Sequence, residues 1–449
     1  MVKRKAQEGD GLVSERRQAM RARAVWKSAV AAGGLAAALF GAGAARVTAQ
    51  NPPSPFPASD APAGYLVFPK IQTNTQPADP AAPSIETVVQ LTNTSQSVRN
   101  VHCFYVSETD CHPDNVNIRL TPGQPFAWQV SQSVSIPPFT LIPGRDPFLG
   151  ELKCIEVNDP TVPLPVNAND LKGEATIYTF RRTNGVVQDV DARTYNAIGF
   201  QTSVVSNTEP PGAQRACVGS QTACTPGGTQ CGAGTCGAGK CVSGTKGGQG
   251  CNVNADCPFG SCDALMCLGA TSGAGSPCLA ANYAACADTL ILNNFFDQAP
   301  DPADVNPNPA LKRKITNGLT LVPCSEDLTT DDPEPITVVQ FLIFNEFEQR
   351  MSTATRIQCY SDLPLSNIDT VPGGEAGSVF NVGVQGTLAG QTRIRGVKNS
   401  DPTVGQGMLA VAEEFRRDPT TGSVASTAVN VNEVGMPVGK GDFVRYSPQ

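Results

Sequence analysis

Residues 87–95 read Thr87-Val88-Val89-Gln90-Leu91-Thr92-Asn93-Thr94-Ser95, a β-branched run that stops at a cluster of turn formers. That composition is written for a short strand rather than a helix. The same four residues return at Thr337-Val338-Val339-Gln340. Four further matches follow in the same order. His102-Cys103-Phe104 answers to Gln358-Cys359-Tyr360, and Asp159-Pro160-Thr161-Val162 to Asp401-Pro402-Thr403-Val404. Phe180-Arg181-Arg182 returns as Phe415-Arg416-Arg417, and Asn196-Ala197-Ile198-Gly199 as Asn432-Glu433-Val434-Gly435. Five collinear matches with slowly drifting spacing imply an internal duplication. Residues 64–205 and 288–449 are therefore expected to be diverged copies of one domain.

Each copy reads as β. Val116, Ile118 and Leu120 alternate with Asn117 and Arg119, the pattern of a half-buried strand. Val382 and Val384 alternate with Gly383 and Gln385 in the same way. Val101, Cys103 and Tyr105 share one face opposite His102, Phe104 and Val106, so that strand is apolar on both sides and belongs in the middle of a sheet. Further strands are expected at 64–69, 85–93, 149–157, 172–180 and 192–201, then at 316–323, 336–344, 354–360, 390–397, 407–415 and 424–434. The run from Asp288 to Phe296 also favours a strand. With 43 Gly and 37 Pro the chain does not suit a helical bundle, while a hydrophobic share of 40% supports a packed core. The expected fold is all-β: two homologous antiparallel β-sandwich domains separated by a small disulfide-rich segment.

The first 49 residues read as a signal peptide. A basic stretch ending at Lys27 precedes an apolar run, Ala29 to Ala45, and Val47-Thr48-Ala49 supplies the small residues before cleavage. Either Met1 or Met20 serves as the start. The apolar run is too weakly hydrophobic for a comfortable membrane span, so no span is expected after signal removal. Residues 50–63 form a Pro-rich linker. Beyond residue 49 the chain carries 24 Lys+Arg against 37 Asp+Glu. Such an acidic surface repels phosphate backbones, which argues against nucleic acid as a partner.

All 16 cysteines lie beyond the signal, and an even set in an exported chain reads as disulfides. Within the cysteine-rich segment 206–287, Cys224, Cys231, Cys236 and Cys241 have the spacing C-x6-C-x4-C-x4-C, and Cys251, Cys257, Cys262 and Cys267 have C-x5-C-x4-C-x4-C. They are read as two tandem four-cysteine units, each too small to fold without cross-links. Cys103 and Cys154, in core strands of the first copy, are expected to pair. So are Cys324 and Cys359, the two cysteines of the second copy. Cys111 is then left to reach Cys217 and clamp the cysteine-rich segment to the first domain; the alternative pairs Cys103 with Cys111.

Chemistry-bearing patterns are sparse. Two histidines leave little for common catalytic apparatus, and no nucleotide loop, nucleophile elbow or cofactor motif is present. His102, Cys103, Cys111 and His112 are the one candidate metal cluster, disfavoured because neighbours in a strand point to opposite faces. The Arg181-Arg182 and Arg416-Arg417 pairs read either as anion contacts or as charges that keep strand ends soluble. Three functions are weighed: an exported structural or adhesive binding protein with an unidentified surface or extracellular ligand, a secreted hydrolase using paired carboxylates, and a metal-binding protein.

Gly64-Tyr65-Leu66-Val67-Phe68-Pro69, followed by residues 87–95, resembles the opening of a β domain of exported, mostly uncharacterised proteins of Gram-negative bacteria. Residues 340–350, Gln340 to Arg350, are similar to the matching stretch of a sister domain. The four-cysteine units resemble EGF-like or Dickkopf-like modules of secreted delta-proteobacterial proteins. The resemblance implies an exported β-sandwich protein and carries no functional residues with it.

Overall fold

The computed structural model describes residues 56–202 except 137–139, 159–164, 167 and 184–185. It also describes parts of the cysteine-rich stretch between 215 and 268, and residues 282–446 except 329–336, 370–373, 398–406 and 435–442. The signal peptide, residues 50–55 of the Pro-rich linker and the Asp159/Asp401 match lie outside the described residues, while the rest of the linker is bridged to the first sandwich at Ala58–Gly199 and Ala63–Leu171.

In the first half the strands are β1 (Tyr65–Thr73), β2 (Ser84–Asn93), β3 (Arg99–Ser107), β4 (Pro113–Leu120), β5 (Pro125–Gln129), β6 (Val134–Ile136), β7 (Thr140–Ile142), β8 (Phe148–Val157), β9 (Leu171–Thr183), β10 (Val186–Asn196) and β11 (Ile198–Phe200). They build a five-stranded sheet, β11-β1-β8-β3-β4, and a four-stranded sheet, β10-β9-β2-β5, with every pair antiparallel. Between the sheets lies a core of Leu66, Phe68, Val89, Leu91, Trp128, Leu152 and Ile177 among others. Gly173 of β9 sits under the Phe68 ring, where an added Cβ would lie 2.5 Å from Phe68 Cζ.

The middle segment contributes β12 (Arg215–Ala216), β13 (Ala223–Cys224), β14 (Gly239–Cys241), β15 (Gly250–Cys251), β16 (Cys262–Leu268) and β17 (Asn282–Tyr283). The rest of the chain supplies β18 (Thr289–Phe295), β19 (Lys314–Pro323), β20 (Glu326–Asp327), β21 (Thr337–Asn345), β22 (Arg350–Ile357), β23 (Ser361–Pro364), β24 (Ala389–Val397), β25 (Met408–Arg417), β26 (Val424–Asn430), β27 (Asn432–Glu433) and β28 (Phe443–Tyr446). Again there are two antiparallel sheets, β27-β18-β24-β21-β22 and β26-β25-β19-β23. Their core includes Leu290, Phe341, Ile343, Phe380 and Ile394.

Read in chain order, the two sandwiches have the same strand order. β1, β2, β3, β4 and β5 stand where β18, β19, β21, β22 and β23 stand, and β8 to β11 where β24 to β27 stand. This register corrects three of the sequence matches. Thr87–Gln90 lies in β2 and Thr337–Gln340 in β21, which are not equivalent strands. Both strands do end on an Asn turn: Asn93 Oδ1 accepts from Ser95 N–H, and Asn345 Oδ1 from Phe347 N–H. Likewise Cys103 is inside β3, whereas Cys359 lies past the end of β22. The Phe180 match falls on equivalent strands, β9 and β25, whereas Asn196 ends β10 and Asn432 opens β27, so that match is offset between elements that do not correspond. Val382–Gln385, expected as a strand, is one helical turn. Asn381 caps it, accepting from Gly383 N–H at 2.8 Å, and Gly386 closes it at φ 69°.

A third core joins everything. Tyr65, Phe104, Val106, Ile155 and Phe200 of the first sandwich meet Leu268, Tyr283 and Cys286 of the middle segment and Val322, Tyr360 and Leu409 of the second sandwich. This explains why β1, β3 and β8 are apolar on both faces: one face fills the first sandwich, the other the junction. β28 pairs with β16 and, in parallel, with β20, burying Val444 completely. Residues 53–449 therefore form one contact unit, and the middle segment is a part of its junction rather than a spacer that sets two domains apart. No described helix is long and apolar enough to cross a membrane.

Among the described residues no cysteine is free. Cys103 bonds to Cys154, directly opposite it across β3 and β8 with Cα atoms 4.0 Å apart. The expected Cys324–Cys359 bridge is not formed. Cys324 bonds to Cys286, and Cys359 to Cys111, at Cα separations of 6.4 and 5.8 Å. Both second-sandwich cysteines border the junction, where partners from other segments arrive. The Cys111–Cys217 clamp is also corrected, because Cys217 bonds to Cys231. Cys241 bonds to Cys257, across the boundary between the two proposed four-cysteine units, so these are not self-contained. Cys236 and the side chains of Cys224, Cys262 and Cys267 lie outside the described residues.

Candidate functional site at the sandwich seam

The edge strands β10 and β26 of the two four-stranded sheets lie side by side. Ser426 donates its N–H to Asp191 Oδ1 at 3.2 Å and its hydroxyl to Oδ2, and Asn430 Nδ2 donates to the Asn196 carbonyl at 2.8 Å. Above this seam opens a cleft of about 720 Å³. Its floor is a buried charge network. Lys70 Nζ lies 2.8 Å from Asp362 Oδ2 and 2.6 Å from Glu413 Oε2, and Arg193 Nε bonds the other oxygen of Glu413. Thr320 adds a hydroxyl to Asp362 at 2.7 Å, and Arg193 donates to Thr179 at 2.9 Å. All three ion pairs, Lys70–Asp362, Lys70–Glu413 and Arg193–Glu413, join the first sandwich to the second. Burial alone would push Glu413 up, but the Lys70 and Arg193 charges more than reverse it, and the carboxyl sits below its ordinary value.

Two exposed arginines stand on the cleft walls. Arg181 comes from β9 of the first sandwich and Arg417 from β25 of the second. Neither has an ion-pair partner among the described residues. With Lys70 and Arg193 they oppose Asp191, Asp362 and Glu413, so the cleft holds a surplus of positive charge in an acidic chain. Ile85, Val190, Leu363, Phe415 and Val424 give it apolar sides. This arrangement suits an anion with an apolar body: arginine forks take a carboxylate or phosphate in bidentate fashion.

For general acid catalysis the same cleft is poorly set. Glu413 is an ionised acceptor held by two cations, whereas a catalytic acid needs a raised pKa. Glu156 does have one. Burial, then the Asp170 charge, push it to about 7 against the opposing Arg99. Its side chain is nevertheless fully enclosed, and neither Glu156 nor Asp170 lines either described cavity.

The candidate metal cluster is not assembled. His102 is buried on the face opposite Cys103, with Nδ1 against Asn117 Oδ1. Cys103 and Cys111 are in different disulfides. His112 is exposed, 3.9 Å from Asp114. The sulfurs of Cys241, Cys251 and Cys257 gather within 4.8 Å, but all three are disulfide-bonded, and an oxidised sulfur is no thiolate ligand.

Sequence reasoning singled out Arg181 and Arg417 but missed the floor beneath them. A signal was present. Lys70 interrupts the apolar run Tyr65–Ile71, and Glu413 ends the run Met408–Ala412. A charge inside a buried strand needs a partner. Lys153 obeys the same rule in the junction, where it lies 2.6 Å from Glu151 and also contacts Glu326 of β20.

No family model matches the chain, and no curated protein does. The solved structure of Thermotoga maritima 1070 aligns with 11% identity over 32% of this chain and 97% of that one, at a TM-score of 0.20. A likeness at this level carries no argument.

Proposed function

We propose that this chain is an exported, non-enzymatic binding protein, structural or adhesive in role, acting at the cell envelope or outside the cell. On this reading its sandwiches are copies of one domain, and their seam holds a ligand carrying a carboxylate or phosphate. The observation that carries the reading is the entry of Arg181 and Arg417, one from each sandwich, into a single cleft without an ion-pair partner among the described residues. Buried Lys70 and Arg193 are spent on Asp362 and Glu413, which leaves the two wall arginines to the ligand. The shared strand order supports duplication, and the basic-then-apolar leader with the cross-linked cysteines supports export.

Titration calorimetry with inorganic phosphate and a panel of di- and tricarboxylates tests it. At least one anion is expected to bind, with affinity falling as salt rises, and Arg181→Gln with Arg417→Gln is expected to weaken it at least tenfold. If no anion of the panel binds at millimolar concentration, the seam is a structural joint and the reading fails.

A further inference from the structure

A second cavity, of about 620 Å³, lies on the outer face of the first sandwich's four-stranded sheet. Its chemistry is unlike that of the seam. Along β9, Tyr178 and Phe180 point away from the sandwich core, the opposite side from Ile177. Tyr178 stands between Glu86 of β2 and Ala192 of β10 in the sheet register, so its neighbour on one side is only a methyl group. Beyond it the register of β10 slips between Gln188 and Asp191, a bulge that opens the sheet edge beside Phe180. The flanking Val187 and Val190 are 49% and 59% exposed. A groove with aromatic and apolar walls is thus left in contact with water.

Its polar groups are amides, hydroxyls and two carboxylates. Gln76, Gln129 and Gln132 are exposed around it, and no hydrogen bond engages their side-chain amides among the described residues. The Tyr178 hydroxyl is likewise unengaged. The two carboxylates are held in place from behind. Glu86 accepts from the N–H of Ser131 at 3.2 Å and from its hydroxyl, and Asp146 accepts from the N–H of Thr75 at 2.9 Å and from its hydroxyl. Each therefore keeps lone pairs for a ligand in a fixed direction.

Primary amides donate and accept at once, as hydroxyl groups do. Aromatic faces take the C–H faces of a ring. Two carboxylates line the groove and, among the described residues, no cation does, so it repels an anion. We infer that this groove binds a neutral, hydroxyl-rich ligand, a short saccharide, with Tyr178 and Phe180 as the stacking surface and Gln129, Gln132, Gln76 and Glu86 reading its hydroxyls. The volume falls within the range of small-ligand sites. Val190 lines both this groove and the seam, yet the seam suits an anion and the groove a neutral ligand. The saccharide site stands whether or not the seam takes an anion.

The test uses the full disulfide-bonded protein on an array of neutral and acidic glycans, followed by titration calorimetry with the best neutral glycan. Binding to one or more neutral glycans is expected. Tyr178→Ala and Gln129→Leu should each weaken it about tenfold, while Phe347→Ser, an exposed aromatic of the second sandwich, should not change it. Near-ultraviolet circular dichroism checks that each variant keeps the native packing; Gln129 is exposed, so its variant reports even if Tyr178→Ala unfolds. Capture of acidic glycans alone, no capture at all, or an affinity that Gln129→Leu leaves unchanged would each overturn the inference.

Discussion

Replacing both Cys111 and Cys359 by alanine removes the one described bridge that ties the first sandwich directly to the second. The two residues are 248 apart in sequence. The bridges Cys103–Cys154, Cys217–Cys231, Cys241–Cys257 and Cys286–Cys324 already shorten that loop in the unfolded chain. They leave an effective closure of ~150 residues, for which the chain-entropy relation gives ~5 kcal/mol. Because the dependence is logarithmic, ignoring the other bridges would raise the figure by only ~0.5 kcal/mol. Guanidinium unfolding of the oxidised protein, followed by the fluorescence of buried Trp128 and by far-ultraviolet circular dichroism, measures it. The double variant should lose about 4–5 kcal/mol while its native spectra stay unchanged, since the junction core and the Lys70 network remain. A loss below about 1 kcal/mol would refute the reasoning. The unfolded state would then hold the two halves together by other means, and the bridge would be incidental.

Two further expectations concern buried charge. Lys70→Met leaves Asp362 and Glu413 short of a cation and should cost about 3–5 kcal/mol, read by thermal unfolding at pH 7. Glu413 is held below its ordinary value in the folded protein. The stability it contributes is present above about pH 4.3, its unfolded value, and is lost as pH falls through the folded one, so the gap between wild type and Lys70→Met should narrow on acidification. Glu433 has the opposite sign: burial raises it to about 8. Its preference for the neutral form is fully present below about pH 4.3 and disappears as pH rises toward 8. Glu433→Gln should therefore leave the melting temperature unchanged near pH 4 and raise it above pH 8; equal shifts at both would contradict this.

The strands were legible because alternation and turn residues mark them locally. β4, β9 and β24 fall within a residue or three of where the pattern puts them. Val382–Gln385 escaped because a four-residue alternation is too short to fix a period, and the Asn381 cap and Gly386 decided for a helical turn. The correspondence between halves was harder. Short matches such as Thr-Val-Val-Gln arise in any strand rich in β-branched residues, so β2 and β21 look alike without being equivalent. Disulfide partners were misassigned for a deeper reason. Pairing within each half supposes that the halves are separate bodies, and Cys324 and Cys359 face a junction that no local pattern announces. The seam arginines were visible as a repeated doublet, but that Arg181 and Arg417 meet at one cleft follows only from the packing of β10 against β26.

Strand β28 fits between β16 and β20, which are hydrogen-bonded to it on either side. Synthesis reaches it some ~180 residues after β16, with the whole second sandwich made in between, and such non-local pairing is slow to form. Until then both flanking ladders stand open, and open strand edges invite pairing with other chains. A chain interrupted between β20 and β28 would keep those edges bare. The protein thus has a built-in period of vulnerability during maturation, which rapid oxidation of Cys286 with Cys324, next to β20, would shorten by holding one side of the gap in place.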